Sequence, residues 1–410
     1  MKKLISALSL LLVFTFGATA QNRSIDFEKT KAWQEIVDKA KAEDKLIFVD
    51  CYTDWCGPCK MLSANVFTQD DVADFFNKNF VNAKFEMEQD ADGVAHRDVW
   101  GIRAFPTLIF VDPQTEKVVH RLVGAGQADW LIEGGSTAMD PGKNLNSLVE
   151  RYEEGDRSEE FIMLYLTALK TAYMTDEQAK VAGEYMSGMT LDQLATPKGW
   201  KLISENITDP FSKPLRTVVA NTARFYDIDG VEPAEVDQHI NNSLLGVVNP
   251  FLARNAAFDR ARYEEVTGYY KDLDFPGAKT AVVFLNTADK ADRKDWAGVL
   301  GDIAANDGGG ILEGRISAIY QQTFIPMLGL SNDADVIGKG IGMLDAKIAQ
   351  AGGEDVNSLY TKAGYSAMKA SLYKAAGDTS AAEKADAEAK EFGRRGQEAA
   401  AQSGAAIRMN

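Results

Sequence analysis

Apolar residues recur at two different spacings along this chain, and the change of spacing divides it. Over residues 26–42 they recur every three or four positions between charged residues, which predicts an amphipathic helix. The next apolar run, residues 46–52, is almost unbroken and predicts a strand that is buried on both faces of a sheet. Its one charged residue is Asp50, so this carboxyl is expected to lie in the interior.

The pattern up to residue 135 continues to alternate between helix and strand. A helix is predicted to open at Gly57 and Pro58, and further strands are predicted over residues 80–87, 103–111 and 117–123. A short helix then follows over residues 128–132. This order of elements predicts a compact α/β sandwich over residues 24–135.

Beyond residue 135 the strand pattern nearly vanishes. Turn-forming residues predict a linker over 136–144, and helical spacing predicts a mostly α-helical domain over 145–395. That domain is either a set of helical-hairpin repeats or an irregular helical domain. Residues 396–410, rich in Ala and Gln, predict a flexible tail.

Two glycine-rich stretches lie within the predicted helical domain. Residues 308–310 and 338–342 lack the preceding strand and the following Lys-Ser or Lys-Thr pair that a phosphate-binding loop requires. They are therefore interpreted as turns.

The first residues carry the features of an export signal. Lys2 and Lys3 precede an apolar run over residues 4–16 and four small residues, which predicts a secretory signal peptide over residues 1–20. A retained anchor is the alternative. No later run approaches the roughly 20 apolar residues of a membrane helix, so we expect a soluble mature chain without stable membrane insertion.

Charge and cysteine content exclude several function classes. The chain has 60 Asp and Glu against 44 Lys and Arg, a formal net charge of −16, which argues against nucleic acid as a partner. Three cysteines in 410 residues exclude a disulfide-stabilised scaffold. The oligomeric state stays open.

Two of the cysteines, Cys56 and Cys59, have the spacing of a redox dithiol. A structural zinc site would need a second pair of ligands, and the sequence offers none at suitable spacing, so we expect no metal. A purely structural disulfide would close too small a loop to stabilise much. Cys56, at the start of a helix, is expected to be the nucleophile, because the helix N-terminus favours a thiolate, and Cys59 the resolving thiol.

The segment around this pair resembles the active site of the thioredoxin superfamily. It reads Trp55-Cys56-Gly57-Pro58-Cys59-Lys60. Asp50 precedes Cys56 by six residues, Lys84 lies on the next predicted strand, and residues 102–107 resemble the family's loop with a cis-proline. The resemblance covers residues 26–133 and implies a thioredoxin fold, a central mixed sheet with helices on both faces. With its helical extension, the chain resembles secreted bacterial thioredoxin-like proteins, which implies the periplasm.

The resemblance also implies roles for individual residues. Asp50 would accept the proton of Cys59, with Lys84 partly compensating its charge unless Lys84 is an ordinary surface lysine. The bond before Pro106 would be cis, and the backbone of Phe105 would pair with an extended substrate segment. Trp55 would shield the sulfurs or simply pack. Gly57, Pro58 and Lys60 complete the supporting set.

The remaining candidate residues point to ordinary structural roles. Strand alternation directs Cys51 away from the Asp50 face, so Cys51 is interpreted as a small buried hydrophobe. His96, His120 and His239 are isolated in sequence and are interpreted as surface or satisfied histidines.

Together these features predict a thiol–disulfide oxidoreductase that mainly reduces protein disulfides through Cys56 and Cys59, without a cofactor. The expected partners are a disulfide-containing protein substrate and a membrane-borne electron donor. The alternatives are a disulfide oxidase or isomerase, or a partner-binding adaptor in which the helical domain dominates.

Overall fold

The computed structural model describes residues 23–252, 257–307 and 311–403. The predicted signal peptide over 1–20, the predicted turn at 308–310 and residues 404–410 of the predicted tail lie outside these ranges. The chain divides into two compact units, Met1–Gly188 and Met189–Asn410.

None of the described helices is both long and apolar enough to cross a membrane.

The first unit is built on a four-stranded sheet with the strand order β2-β1-β3-β4. The strands are β1 (Leu46–Tyr52), β2 (Phe80–Glu86), β3 (Thr107–Val111) and β4 (Val118–Val123). β1 pairs in parallel with β2 and antiparallel with β3, and β3 pairs antiparallel with β4. The sheet is therefore mixed, and the nearly unbroken apolar run forms a strand with neighbours on both sides.

Helices cover both faces of this sheet. The helices that the structure describes in the first unit are α1 (Trp33–Glu43), α2 (Gly57–Asn65), α3 (Asp70–Asn79), α4 (Ala91–His96), α5 (Ala128–Met139), α6 (Leu145–Glu153), α7 (Glu159–Thr171) and α8 (Thr175–Met186). On one face, Trp33 of α1 packs in a core with Val49. On the other, Phe48 packs in a core with Phe76 of α3 and Leu131 of α5. The predicted fold class is confirmed.

The linker prediction is wrong over residues 136–139, because α5 continues to Met139. Gly134 and Gly135 lie inside this helix and do not end it. A Cβ atom at Gly134 would lie 2.3 Å from Leu122 Cδ1, and one at Gly135 would lie 2.7 Å from Phe75 Cε1. The two glycines therefore allow α5 to approach the sheet and α3 closely.

The first unit also extends past residue 145, where the sequence predicts the helical domain to begin. The backbone N–H of Leu145, at the start of α6, donates a hydrogen bond to His120 Nδ1 on β4 at 3.3 Å. The boundary between the two units falls between Gly188 and Met189.

Every element that the structure describes in the second unit is helical. Its α-helices are α9 (Leu191–Leu194), α10 (Pro197–Asn206), α11 (Lys213–Ala220), α12 (Thr222–Tyr226), α13 (Pro233–Gly246), α14 (Arg260–Tyr270), α15 (Pro276–Asp292), α16 (Trp296–Ala305), α17 (Gly314–Met327), α18 (Ala334–Gln350), α19 (Val356–Ala375) and α20 (Thr379–Ser403). Helical-hairpin repeats stay a prediction.

Two local predictions in this unit are wrong. Residues 338–342, expected to form a turn, lie within α18. Residues 396–403, expected to be a flexible tail, continue α20, where an added Cβ at Gly396 would meet the ring of Tyr360 at 3.3 Å. In the first stretch a Cβ at Gly340 would lie 2.9 Å from Leu328 Cδ1, so Gly340 and Gly396 are the glycines whose small size permits close packing within a helix.

Candidate redox site

Cys56 and Cys59 form a disulfide at the start of α2, with 5.4 Å between their Cα atoms. Cys56 is the N-cap residue of α2, and its Sγ accepts a hydrogen bond from the backbone N–H of Cys59 at 3.1 Å. Pro58 sits in the first turn, where a missing N–H costs no helical hydrogen bond. The unpaired N–H groups of this helix start favour negative charge on the Cys56 sulfur once the disulfide opens.

Both cysteines are shielded from solvent. Cys56 is 2% exposed and Cys59 is 5% exposed, whereas the neighbouring Trp55 is 68% exposed. Trp55, directly before Cys56 in the chain, therefore presents its side chain to solvent while both sulfur-bearing residues are buried.

A cavity of about 140 Å³ joins Cys59 to Asp50. Its other lining residues are Tyr52, Thr53, Asp54, Lys60, Ser63 and Lys84. Asp50 is buried on β1 and lies opposite Lys84 in the register with β2. The shared cavity gives the Asp50 carboxyl and the Cys59 sulfur a common space in which a proton can be exchanged.

The ionisation of Asp50 is set by burial and two lysines. Burial raises the pKa of Asp50 to about 7, and the positive charges of Lys84 and Lys31 oppose this rise. A carboxyl with a pKa near neutrality is suited to proton transfer at neutral pH.

Lys31 is a site residue that the sequence did not indicate. Its ammonium lies 3.0 Å from Asp90 Oδ2 and also donates to the backbone oxygen of Lys84. Lys31 precedes α1 in the chain, and only folding brings it to the site. Its position relative to Cys56 in the sequence therefore gives no indication of its role.

The Phe105–Pro106 peptide bond is cis, as the resemblance implied. The Trp55 ring stands edge-on to the Phe105 ring, with 5.9 Å between the centroids and 86° between the planes. The Trp55 indole N–H donates to Glu88 Oε2 at 3.0 Å. The guanidinium of Arg97 lies over the Phe105 ring, with 5.4 Å between its carbon Cζ and the ring centroid. Arg97 Nη1 lies 3.6 Å from Glu88 Oε1.

We call these four residues, Trp55, Glu88, Arg97 and Phe105, the Trp55 rim. Their contacts form a closed ring, so Trp55 is exposed but held in one orientation by Glu88 and Phe105. Glu88 and Arg97 have no signal in the sequence, because each is more than thirty residues from Trp55.

The structure thus places the predicted residues in three groups. Asp50, Cys59, Lys60 and Lys84 surround the cavity. Trp55 and Phe105 form part of the rim, and Pro106 follows Phe105 directly before β3. Gly57 and Pro58 form the turn of α2 between the two sulfurs.

Cys51 lies in the hydrophobic core formed with α1, on the opposite face of β1 from Phe48. It is a free, buried thiol whose pKa is raised well above its ordinary value, mainly by burial.

His96 Nδ1 lies 2.7 Å from the backbone oxygen of Asp92. Among the described residues, no three His, Cys, Asp or Glu side chains gather in a group that could hold a metal ion.

Comparisons with known proteins match the same part of the chain. Residues 24–134 match the family model for thioredoxin. Thioredoxin H4 of Arabidopsis thaliana is 32% identical over 112 residues, which is 27% of this chain and 87% of that protein. Thioredoxin-1 of Saccharomyces cerevisiae is 35% identical over 94 residues, 22% of this chain and 80% of that protein.

Among solved structures, the chain is similar to the solution structure of a putative disulphide-isomerase from Bacteroides thetaiotaomicron. The two are 45% identical, and the match covers 30% of this chain and 98% of that one, with a TM-score of 0.27.

Proposed function

Because the chain belongs to the thioredoxin family and carries a Cys56–Cys59 thiol–disulfide oxidoreductase site, we propose that it acts mainly as a reductase of protein disulfides. The observation that carries this proposal is the cavity shared by Cys59 and the buried carboxyl of Asp50. In a reductase the second thiol must lose its proton before it attacks the mixed disulfide, and the shared cavity supports Asp50 as the group that accepts that proton.

The reaction proceeds in two exchange steps from the dithiol form. The Cys56 thiolate attacks one sulfur of the substrate disulfide, which forms a mixed disulfide and releases the first substrate thiolate. Cys59 passes its proton to Asp50, directly or through water in the cavity, and attacks the Cys56 sulfur. The Cys56–Cys59 disulfide forms and the second substrate thiolate leaves, so the two electrons of the dithiol end on the substrate.

The charges around the pair support the reducing direction. A strongly oxidising pair depends on a very stable nucleophile thiolate, which stabilises the reduced form. Here the cavity next to the pair holds two carboxyls, Asp50 and Asp54, besides Lys60 and Lys84. Glu88 at the rim is paired with Arg97, so the two together add no net charge. Asp50 and Asp54 oppose the two lysines, so side-chain charge adds little to the stabilisation that the start of α2 gives the Cys56 thiolate.

The setting and partners of this reaction form part of the proposal. The pattern of residues 1–20 supports export, and the periplasm is the compartment in which we place the mature chain. Because that compartment is oxidising, a membrane-borne donor would have to return electrons to the pair. The substrate would be a protein with an accessible disulfide, which docks against Trp55 and the backbone at Phe105.

A redox titration of Cys56 and Cys59 tests the direction. We expect a potential near about −270 mV, the scale of a reducing thioredoxin, and not near about −120 mV, the scale of a strong oxidant. A potential at the oxidising end would overturn the reductase proposal. The double variant Cys56→Ser, Cys59→Ser should show no transition and serves as the blank.

Capture of substrates tests the protein-substrate part. In the Cys59→Ser variant the mixed disulfide at Cys56 cannot be resolved, so disulfide-linked partners should accumulate. They should be absent from the Cys56→Ser variant and should be released by reductant. Partners retained equally by both variants would instead support the adaptor alternative.

A further inference from the structure

A second cavity of the first unit, of about 300 Å³, lies between β4, α5 and α7 and shares no lining residue with the cavity at Cys59. Its walls are two helix stripes, each with the spacing of a single helix face. The stripe of α5 is Trp130, Glu133, Gly134 and Thr137, the stripe of α7 is Leu164, Thr167, Ala168 and Thr171, and His120, Leu122 and Lys143 complete the lining. The buried residues His120 and Leu122 mark the inner end of the cavity, and the exposed residues mark its mouth.

His120 presents one fixed hydrogen-bond donor at the inner end. Its Nδ1 accepts a hydrogen bond from the backbone N–H of Leu145 at 3.3 Å, so the proton of the neutral ring lies on Nε2. Burial lowers the pKa of His120 to about 4, which keeps the ring neutral at pH 7.

This donor is open to the cavity. No described residue accepts a hydrogen bond from His120 Nε2, yet this atom is not one of the fully enclosed polar atoms that lack a partner. His120 is only 3% exposed and lines the cavity, so the accessible surface of Nε2 faces the cavity. Buried donors are nearly always paired, so Nε2 points to a ligand that carries an acceptor at its inner end.

The middle of the cavity is apolar. Leu122 and the indole of Trp130 line one side, and Leu164 and Ala168 of α7 line the other. Leu164 is 38% exposed, so an apolar ligand would bury more of it. An apolar cavity of about 150 Å³ holds benzene, so about 300 Å³ has room for one ring with short substituents.

The mouth favours a positively charged donor. Glu133 is exposed and has no ion-pair partner within the described part of the chain. The hydroxyls of Thr167 and Thr171 donate to backbone oxygens of their own helix at 2.9 and 3.0 Å, so both offer only acceptor lone pairs. Lys143 lies 3.3 Å from Asp140 Oδ2, which balances its charge.

We propose that this cavity binds a small aromatic amine whose ring carries a phenol or carbonyl oxygen opposite the amine. The oxygen accepts a hydrogen bond from His120 Nε2, the ring fills the apolar middle, and the ammonium group lies at the mouth beside Glu133. The site would be separate from disulfide exchange.

Titration calorimetry of the mature chain with tyramine tests the proposal, and we expect saturable binding. Phenethylamine lacks only the hydroxyl and leaves the donor of His120 unpaired, so it should bind about fivefold more weakly or worse. This comparison tests the inner contact without altering the protein. In 3-(4-hydroxyphenyl)propionate a carboxylate replaces the ammonium group, and repulsion from Glu133 should weaken its binding to a similar extent.

Glu133→Gln tests the mouth, and Asp129→Asn is the matched control. Both residues are exposed on α5, so both variants should fold normally, but Asp129 does not line the cavity. Glu133→Gln should weaken tyramine binding about threefold, whereas Asp129→Asn should leave it unchanged. No saturable binding of tyramine, equal affinities for tyramine and phenethylamine, tighter binding of the propionate, or equal effects of the two substitutions would each overturn the proposal.

Discussion

At the scale of single residues, Asp50 couples the redox pair to pH. Its pKa of about 7 means that the carboxylate form, which accepts the Cys59 proton, becomes populated as the pH rises through neutrality. We expect the rate at which Cys59 resolves a mixed disulfide to rise through an inflection near pH 7. Asp50→Asn should remove that inflection and slow resolution about 10²-fold, the low end of general-base effects. Stopped-flow kinetics across pH 5–9 would measure both effects, and an unchanged profile would exclude Asp50 as the base.

The raised pKa of Asp50 also predicts that folding stability falls as the pH rises, whereas the rate of resolution increases. A carboxyl whose pKa is raised by folding, from 3.8 to about 7, holds its proton more tightly in the folded state. Folding stability is therefore highest below about pH 4 for this group and falls as the pH rises to about 7. Asp50→Asn, which cannot ionise, should be more stable than the native protein at pH 8, by up to about 4 kcal/mol, and equal to it near pH 4.

Urea unfolding at the two pH values measures this difference. Asp38→Asn is the control, because Asp38 is exposed on α1 and the change removes the same charge. A gain in Asp50→Asn that is the same at both pH values would show that folding does not raise the pKa of Asp50.

Trp55 is the residue of the rim through which substrate selection can be tested. Trp55→Phe keeps an aromatic ring but loses the hydrogen bond to Glu88 that fixes its orientation. A net value of about 0.5–1.5 kcal/mol for that bond predicts a rise of about two- to tenfold in KM for a protein disulfide, with kcat little changed. Bis(2-hydroxyethyl) disulfide, which is too small to dock on the rim, should react at the native rate.

Trp130→Phe provides the comparison for Trp55→Phe, because Trp130 lies on α5 and outside the rim. It should leave the KM of both substrates unchanged. If Trp55→Phe slowed the protein and the small disulfide equally, the ring would serve the chemistry of the sulfurs and not the docking of substrate.

At the scale of elements, the second unit depends on a close approach of α13 and α15. A Cβ atom at Gly277 would lie 2.4 Å from the backbone oxygen of Asn241 and 2.7 Å from its Cα. Gly277→Ala should therefore force the helices apart and destabilise the unit by about 1–3 kcal/mol. Gly301, within α16, has no atom within 4 Å of its Cβ position, so Gly301→Ala should stabilise by up to about 1 kcal/mol. Denaturant unfolding of both variants measures the contrast, and equal effects would contradict it.

These glycines also show why the sequence predicted some elements and not others. Strand β1 was predictable because its apolar run reports burial on both faces, and the α2 start because Gly57 and Pro58 are local signals. Gly134 and the glycines of residues 338–342 look like turn-forming residues when only the neighbouring sequence is considered. In the structure they lie in helices, where Gly134 meets Leu122 and Gly340 meets Leu328. Those neighbours come from other elements, so the pattern along the chain could not reveal them.

The candidate redox site likewise contains residues that the sequence predicted and residues that it could not predict. Cys56, Cys59 and Asp50 were predictable because the two thiols and the single charge in a buried strand stand out in the sequence. Glu88 and Arg97 are ordinary surface residues until folding brings them to Trp55 and Phe105.

At the scale of the whole molecule, redox chemistry is confined to one of the two compact units. All three cysteines lie between residues 51 and 59, and the second unit contains none. Each unit buries its own core, so the chain is expected to unfold in more than one step. The redox state should therefore change the stability of the first unit alone.

Scanning calorimetry with and without dithiothreitol tests this separation. The loop closed by Cys56 and Cys59 is so short that the disulfide should stabilise the first unit by only about 2 kcal/mol. For a unit of this size that predicts a fall of about 4–8 °C in one transition on reduction, while the other stays in place. The Cys56→Ser, Cys59→Ser variant should not respond to dithiothreitol at all. A single transition, or two that move together, would show that the units unfold as one cooperative block, and the redox state of Cys56 and Cys59 would then act on the stability of the helical unit as well.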